Sequence, residues 1–172
     1  LPASRGVAGI RSGTSLVGRQ RVEQIHQREL VGERTPCVPA SLGRCALRLI
    51  RQSAEAVQSD RERTALEFAK KYQVVVALKG HHTVVANFDG TVYVNETGNP
   101  GMASGGSGDV LTGVIAGLLG QGLALFDAAR LGVYLHGVAG DLAAREQGEI
   151  GLIASDVADR IPLAIRQYQQ AH

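Results

Sequence analysis

The stretch Asn99-Pro100-Gly101-Met102-Ala103-Ser104-Gly105-Gly106-Ser107-Gly108-Asp109 constrains this chain more than any other. It runs directly into Val110-Leu111-Thr112-Gly113-Val114-Ile115-Ala116, the opening of an apolar helix. A glycine-rich turn feeding a helix N-terminus gathers backbone N–H groups at one point, and the helix dipole adds positive potential there. An anion is favoured at such a place, and the missing side chains let a phosphate come close. Asp109 is an odd neighbour for an anion unless its carboxylate does chemistry. It can serve as a base that takes a proton from a hydroxyl attacking phosphorus, or as a partner for Mg²⁺. Taken alone, the segment reads equally well as a flexible turn with Asp109 as a helix-start acid. No Lys-Ser/Thr pair closes it as in a Walker loop, and it lacks the Rossmann spacing.

The flanking sequence predicts an α/β layout. A helix is expected over roughly residues 54–72, capped by Ser53, with Ala56, Leu66, Ala69 and Tyr72 as its apolar stripe. Val74-Val75-Val76-Ala77-Leu78 is a continuous apolar run of strand length, as in strands covered on both faces. Thr83–Phe88 and Thr91–Asn95 flank Asp89-Gly90, a hairpin signal. Helices follow at about 108–121, 126–147 and 155–170, with Gly122 ending the first, Asp127 opening the second and Ser155 capping the third.

Charge divides the chain. Residues 1–63 hold eleven arginines, no lysine and six acids, a sum of +5, whereas 64–172 sum to −3. The first 46 residues are turn-rich, with neither apolar period, and read as a poorly ordered or foreign segment before a domain at 47–172. The net charge of +2 gives no reason to expect nucleic acid. No apolar run approaches the ~18 residues of a membrane span, and no secretory signal pattern opens the chain. Cys37 and Cys45 form no disulfide framework and read as thiols of a reducing compartment, so a cytoplasmic location is expected.

Read at full length, the glycine segment resembles one family, the ADP-dependent NAD(P)H-hydrate dehydratases of the ribokinase-like superfamily. The matching residues are Lys79-Gly80 with Thr83-Val84-Val85, then Asn95-Glu96-Thr97-Gly98-Asn99-Pro100-Gly101-Met102-Ala103, then Gly105 through Gly113. Leu135-His136-Gly137, Ala139-Gly140-Asp141 and Ala154-Ser155-Asp156 extend the likeness. The Asn-Pro-Gly-Met-Ala run separates it from sugar and vitamin kinases, which share only the glycine–aspartate core.

The resemblance implies a ribokinase-like three-layer sandwich, truncated at its N-terminal side, and a repair lyase. Such enzymes phosphorylate the hydroxyl of hydrated NADH or NADPH (the S epimer) at the expense of ADP, or ATP, with Mg²⁺, then eliminate phosphate. By position, Lys79, Gly80, His81, His82 and Thr83, with Asn99, Pro100, Gly101, Met102, Ala103, Ser104, Gly105, Gly106, Ser107 and Gly108, should line the adenine nucleotide. Asp109 should bind the hydrated nicotinamide and act as the base. His81 and His82 depart from the smaller residues usual there and read as exposed turn histidines. His136 and Asp141, five residues apart on one helix, are not a catalytic dyad; the resemblance makes them supports of the nucleotide pocket. No metal ligands are readable, and the resemblance favours a homo-oligomer.

A Thr-Pro-His-Pro-Gly-Glu segment of the family is replaced here by Ser41-Leu42-Gly43-Arg44-Cys45. That loss, with the arginine excess, suggests that residues 1–46 are read in another frame or from a misplaced start; the alternative is a real, diverged N-terminal arm. Two other readings stay open: a ribokinase-like small-molecule kinase, and a nucleotide-binding remnant without turnover.

Overall fold

A computed structural model describes Cys37–Ser41, Val57 and residues 59–171 of the chain. Its elements are β1 (Cys37–Ser41), α1 (Arg61–Tyr72), β2 (Val75–Lys79), β3 (Val84–Ala86), β4 (Val92–Val94), a 3-10 turn (Pro100–Met102), α2 (Ser107–Gly120), α3 (Leu125–Gln147) and α4 (Ala154–Ala171). The four strands form one sheet in the order β1-β2-β3-β4. β1 runs parallel to β2, with Cys37 opposite Val75, and the other two pairings are antiparallel.

Alternation along β2 sorts its side chains between two helical layers, because successive residues of a strand point to opposite faces. Val76 and Leu78 pack with Ala65 and Ala69 of α1 and with Val84 and Ala86 of β3. Val75 and Ala77 join Val85, Leu111, Ile115, Ala129 and Val133 on the other face, under α2 and α3. Lys79 follows in the second set, so β2 delivers its amine to the α2–α3 side. A third cluster, with Leu118, Leu135, Leu142 and Val157, joins α2, α3 and α4. Helix, sheet and helix thus make three layers.

Local chemistry sets the ends of these elements. The Asp60 carboxylate accepts the Arg63 N–H at 3.1 Å and caps α1. The expected helix from 54 is therefore interrupted: Val57 and Ser59 are helical, but Asp60 has φ −150° and ψ 78°. Ser53 lies outside the described residues. At the end of α2, Leu123 N–H reaches the Leu118 carbonyl and Gly122 N–H the Leu119 carbonyl, the paired bonds of a Schellman motif, as Gly122 predicts. Ser155 does not cap α4. It sits inside the first turn, and the Asp156 carboxylate instead accepts the Ile153 N–H at 2.9 Å. The Asp89-Gly90 turn joins β3 to β4 as expected, with Asp89 accepting from Thr91 N–H and from the Asn87 amide.

Cys37–Ser41 falls within residues 1–46, yet its backbone pairs along the whole of β2. Among the described residues, no helix is long and apolar enough to cross a membrane.

Candidate active site

A cleft of about 380 Å³ opens at the carboxyl end of β2, where ligands of layered α/β folds collect. One wall is the β2–β3 turn, from Lys79 to Thr83; the other is the loop from Asn95 to Ala103. Leu111, Val133, His136 and Gly137 form the floor, contributed by α2 and α3.

The turn is held by the Thr83 hydroxyl, which donates to the Gly80 carbonyl at 3.1 Å. His81 and His82 follow as exposed rings with centroids 3.9 Å apart, as their reading as turn residues predicts. Buried Asn95 organises the opposite loop: its amide donates to the Thr97 carbonyl, and its oxygen accepts from the Tyr93 and Thr97 hydroxyls. Thr97 Oγ1 also lies 3.1 Å from the Tyr134 carbonyl, drawing the loop onto α3. Gly137 permits that approach. A Cβ there would overlap the Thr97 hydroxyl and lie 2.7 Å from its backbone carbonyl. One turn further along α3, Asp141 accepts from Gly98 N–H and the Asn99 amide.

Behind the cleft, the first residue of α2 joins three elements. Lys79 Nζ donates to Ser107 Oγ at 3.1 Å. His136 Nε2 lies 2.9 Å from the Ser107 carbonyl and 3.3 Å from its hydroxyl. Burial lowers the affinity of both Lys79 and His136 for a proton. For His136 the pKa falls to about 4: desolvation acts first and the Lys79 charge second, opposed by the bond to the Ser107 carbonyl. The imidazole is therefore neutral at physiological pH.

The glycine loop lies beside this cluster. Gly106 takes φ +87° to turn the chain into α2, a conformation L side chains rarely adopt. Ser107, Asp109 and Val110 N–H groups bond back to Ser104 and Gly106 carbonyls. Those of Gly105, Gly106 and Gly108 have no partner among the described residues. The Ser104 hydroxyl oxygen is buried without one as well. Unpaired donors at a helix N-terminus make an anion-binding concavity.

Of the residues expected at the nucleotide, the cleft brings together Lys79, Gly80, His81, His82, Thr83, Asn99, Pro100, Met102 and Ala103. Gly101, Ser104, Gly105, Gly106, Ser107 and Gly108 are not in its walls. Asp109 is exposed on the first turn of α2, also outside the walls. The cleft adds Asn95, Glu96, Thr97, Gly98, Leu111, Val133, His136 and Gly137. The first four adjoin the Asn-Pro-Gly-Met motif, and the resemblance already puts His136 at the nucleotide pocket; for Leu111, Val133 and Gly137 only folding reveals the contact. Among the described residues, no three His, Cys, Asp or Glu side chains converge as a metal cluster.

The three layers and the glycine loop at the strand ends define the ribokinase-like class. The family model described as Carb_kinase, NAD(P)H-hydrate dehydratase, matches residues 43–163, and this chain belongs to that family. A bifunctional NAD(P)H-hydrate repair enzyme, Nnr, of Moorella thermoacetica is 48% identical over 143 residues, covering 83% of this chain and 27% of the relative. That share exceeds what residues 47–172 alone make up, so the likeness extends into the segment expected to be foreign. An ADP-dependent (S)-NAD(P)H-hydrate dehydratase of Neisseria meningitidis serogroup B is 44% identical over 114 residues, 66% of this chain and 38% of the relative. The Bacillus subtilis ADP/ATP-dependent NAD(P)H-hydrate dehydratase, crystallised with ATP and Mg²⁺ and soaked with CoA, superposes with a TM-score of 0.73 at 32% identity. The superposition covers 80% of this chain and 53% of that one. The chain thus spans about a quarter to two-fifths of those curated relatives and half of the crystallised one.

Proposed function

We propose that this chain carries the nucleotide-binding and proton-transfer part of an ADP-dependent dehydration that returns S-epimer hydrated NADH or NADPH to its reduced form. The observation that carries this reading is the convergence of Lys79 and the α2 N-terminus on one side of the glycine loop, with Asp109 in the first turn. Family membership supplies the substrate class.

The residues fit a nucleoside diphosphate. The unpaired N–H groups of Gly105, Gly106 and Gly108 and the orphaned Ser104 hydroxyl suit phosphate oxygens. Leu111, Val133 and Met102 give the cleft apolar surface for a base. Mg²⁺ would be held through phosphate oxygens and water, leaving Asp109 of the first α2 turn as the base. When bound, the ion neutralises charge on the transferring phosphoryl group.

The Lys79 ammonium and the loop amides hold that group by electrostatic preorganisation. Asp109 takes the proton of the substrate hydroxyl as its oxygen bonds to the β-phosphorus of ADP and AMP departs. The C–O bond then breaks with phosphate as the leaving group, the neighbouring ring carbon gives up a proton to water, and the electron pair of that C–H bond becomes the regained double bond. Hydroxide would leave poorly; phosphate leaves well. Cytoplasmic location and homo-oligomeric assembly belong to the same proposal, supported by the low cysteine content and by the family likeness.

The test is a product balance with hydrated NADPH, ADP and Mg²⁺. The reading predicts reduced-nicotinamide absorbance returning one for one with AMP and inorganic phosphate. A stable phosphorylated product without free phosphate would favour the small-molecule kinase, and ADP binding without any product would leave only a nucleotide-binding segment.

A further inference from the structure

The hydrogen bonds at Ser107 have a direction. A carbonyl oxygen only accepts, so the 2.9 Å contact to the Ser107 carbonyl requires the proton on His136 Nε2. The Ser107 hydroxyl oxygen, fully buried, accepts from Lys79. Lys79 therefore depends on where Ser107 stands, and Ser107 is held to α3 by His136, itself 4% exposed. The three residues come from β2, α2 and α3, so no local backbone regularity fixes the arrangement.

We propose that His136 is a positioning residue: by donating to the Ser107 carbonyl it holds the α2 N-terminus so that the Lys79 ammonium stays aimed at the phosphates. This rests on the nucleotide reading above. His136 does no chemistry in this scheme, and its effect travels through Lys79. A residue filling core volume alone would disturb base and phosphate binding alike. A positioning residue disturbs the phosphate part selectively, and a side chain that keeps the donor rescues it.

The experiment titrates ADP and adenosine separately into wild type, His136→Leu, His136→Gln, Lys79→Met and the His136→Leu/Lys79→Met double variant. The glutamine amide can reach where Nε2 stood. The expected result is ADP binding weakened tenfold or more in His136→Leu, adenosine within twofold, and ADP restored to within threefold in His136→Gln. The double variant should be no worse than Lys79→Met alone, because both remove one route. Equal losses for ADP and adenosine, an unchanged ADP affinity in His136→Leu, or multiplying losses in the double variant would each overturn the proposal.

If His136→Leu does not fold, His136→Asn, whose shorter amide does not reach the Ser107 carbonyl, takes its place in the same cycle, and a loss that multiplies with Lys79→Met counts against the proposal. Nitrogen NMR of the wild-type imidazole needs no ligand: the Nε2–H tautomer is expected, and Nδ1–H would refute the bond assignment. A wild type with the Nε2–H tautomer that binds adenosine but not ADP would instead bring down the nucleotide reading, and this inference with it.

Discussion

Asp141 accepts a hydrogen bond from the Asn99 amide at 3.0 Å and, with its other oxygen, one from Gly98 N–H at 2.9 Å. One carboxylate on α3 thus fixes the start of the Asn-Pro-Gly-Met segment. Asp141→Asn should cost about 1 kcal/mol, because its amide would face the Asn99 amide donor to donor while the bond to Gly98 survives. Asp141→Ala loses both bonds and should cost about 2 kcal/mol and weaken ADP binding. Urea unfolding at fixed pH reads both; equal stability of the two variants would mean the retained bond from Gly98 contributes nothing.

Two glycines of the helices should respond oppositely to alanine. At Gly137 the added methyl meets the Thr97 backbone, so the loop must move; overpacking of this kind costs about 1–3 kcal/mol. At Gly113 nothing lies within 4 Å, and the helix interior gains by up to about 1 kcal/mol. Thermal melts of Gly137→Ala and Gly113→Ala should therefore shift in opposite directions; an undiminished melting temperature in Gly137→Ala would contradict the close approach at Thr97, and a loss in Gly113→Ala the open space there.

His136 makes stability depend on pH with a definite sign. Its pKa is 6.5 unperturbed and about 4 in the folded chain, so between these values the unfolded state binds more protons. Its contribution is complete above pH 6.5 and is lost as pH falls towards 4, by about 3 kcal/mol in total. His136→Gln should remove that part of the slope. Unfolding free energies measured at intervals from pH 7 to 4 for both proteins give the comparison, and parallel curves would mean the imidazole is not held neutral by burial.

Much of the scaffold was legible because its periodicity is local. The Val74–Leu78 run announced a strand covered on both faces, and the Asp89-Gly90 turn and the three C-terminal helices fell within a residue or so of their expected places. β1 was missed because Cys37–Ser41 contains Pro39, lacks apolar alternation and sits in a basic, turn-rich segment; its partner β2 makes it a strand. The Ser155 cap was mistaken because Asp156, one residue on, reaches the Ile153 N–H instead. In the site, contiguous motifs gave both cleft walls. The ties between them, Thr97 to Tyr134 and Lys79 to Ser107 to His136, join residues about 30–40 positions apart and emerge only from packing.

The central claim is that Asp109 moves a proton and does not hold the nucleotide. The most direct measurement pairs hydrate turnover with ADP titration for wild type and Asp109→Asn. The account predicts ADP-dependent return of the reduced-nicotinamide absorbance in wild type, no detectable return in Asp109→Asn, and ADP affinity within a few-fold. Retained turnover, or a collapse of ADP binding together with turnover, would contradict it.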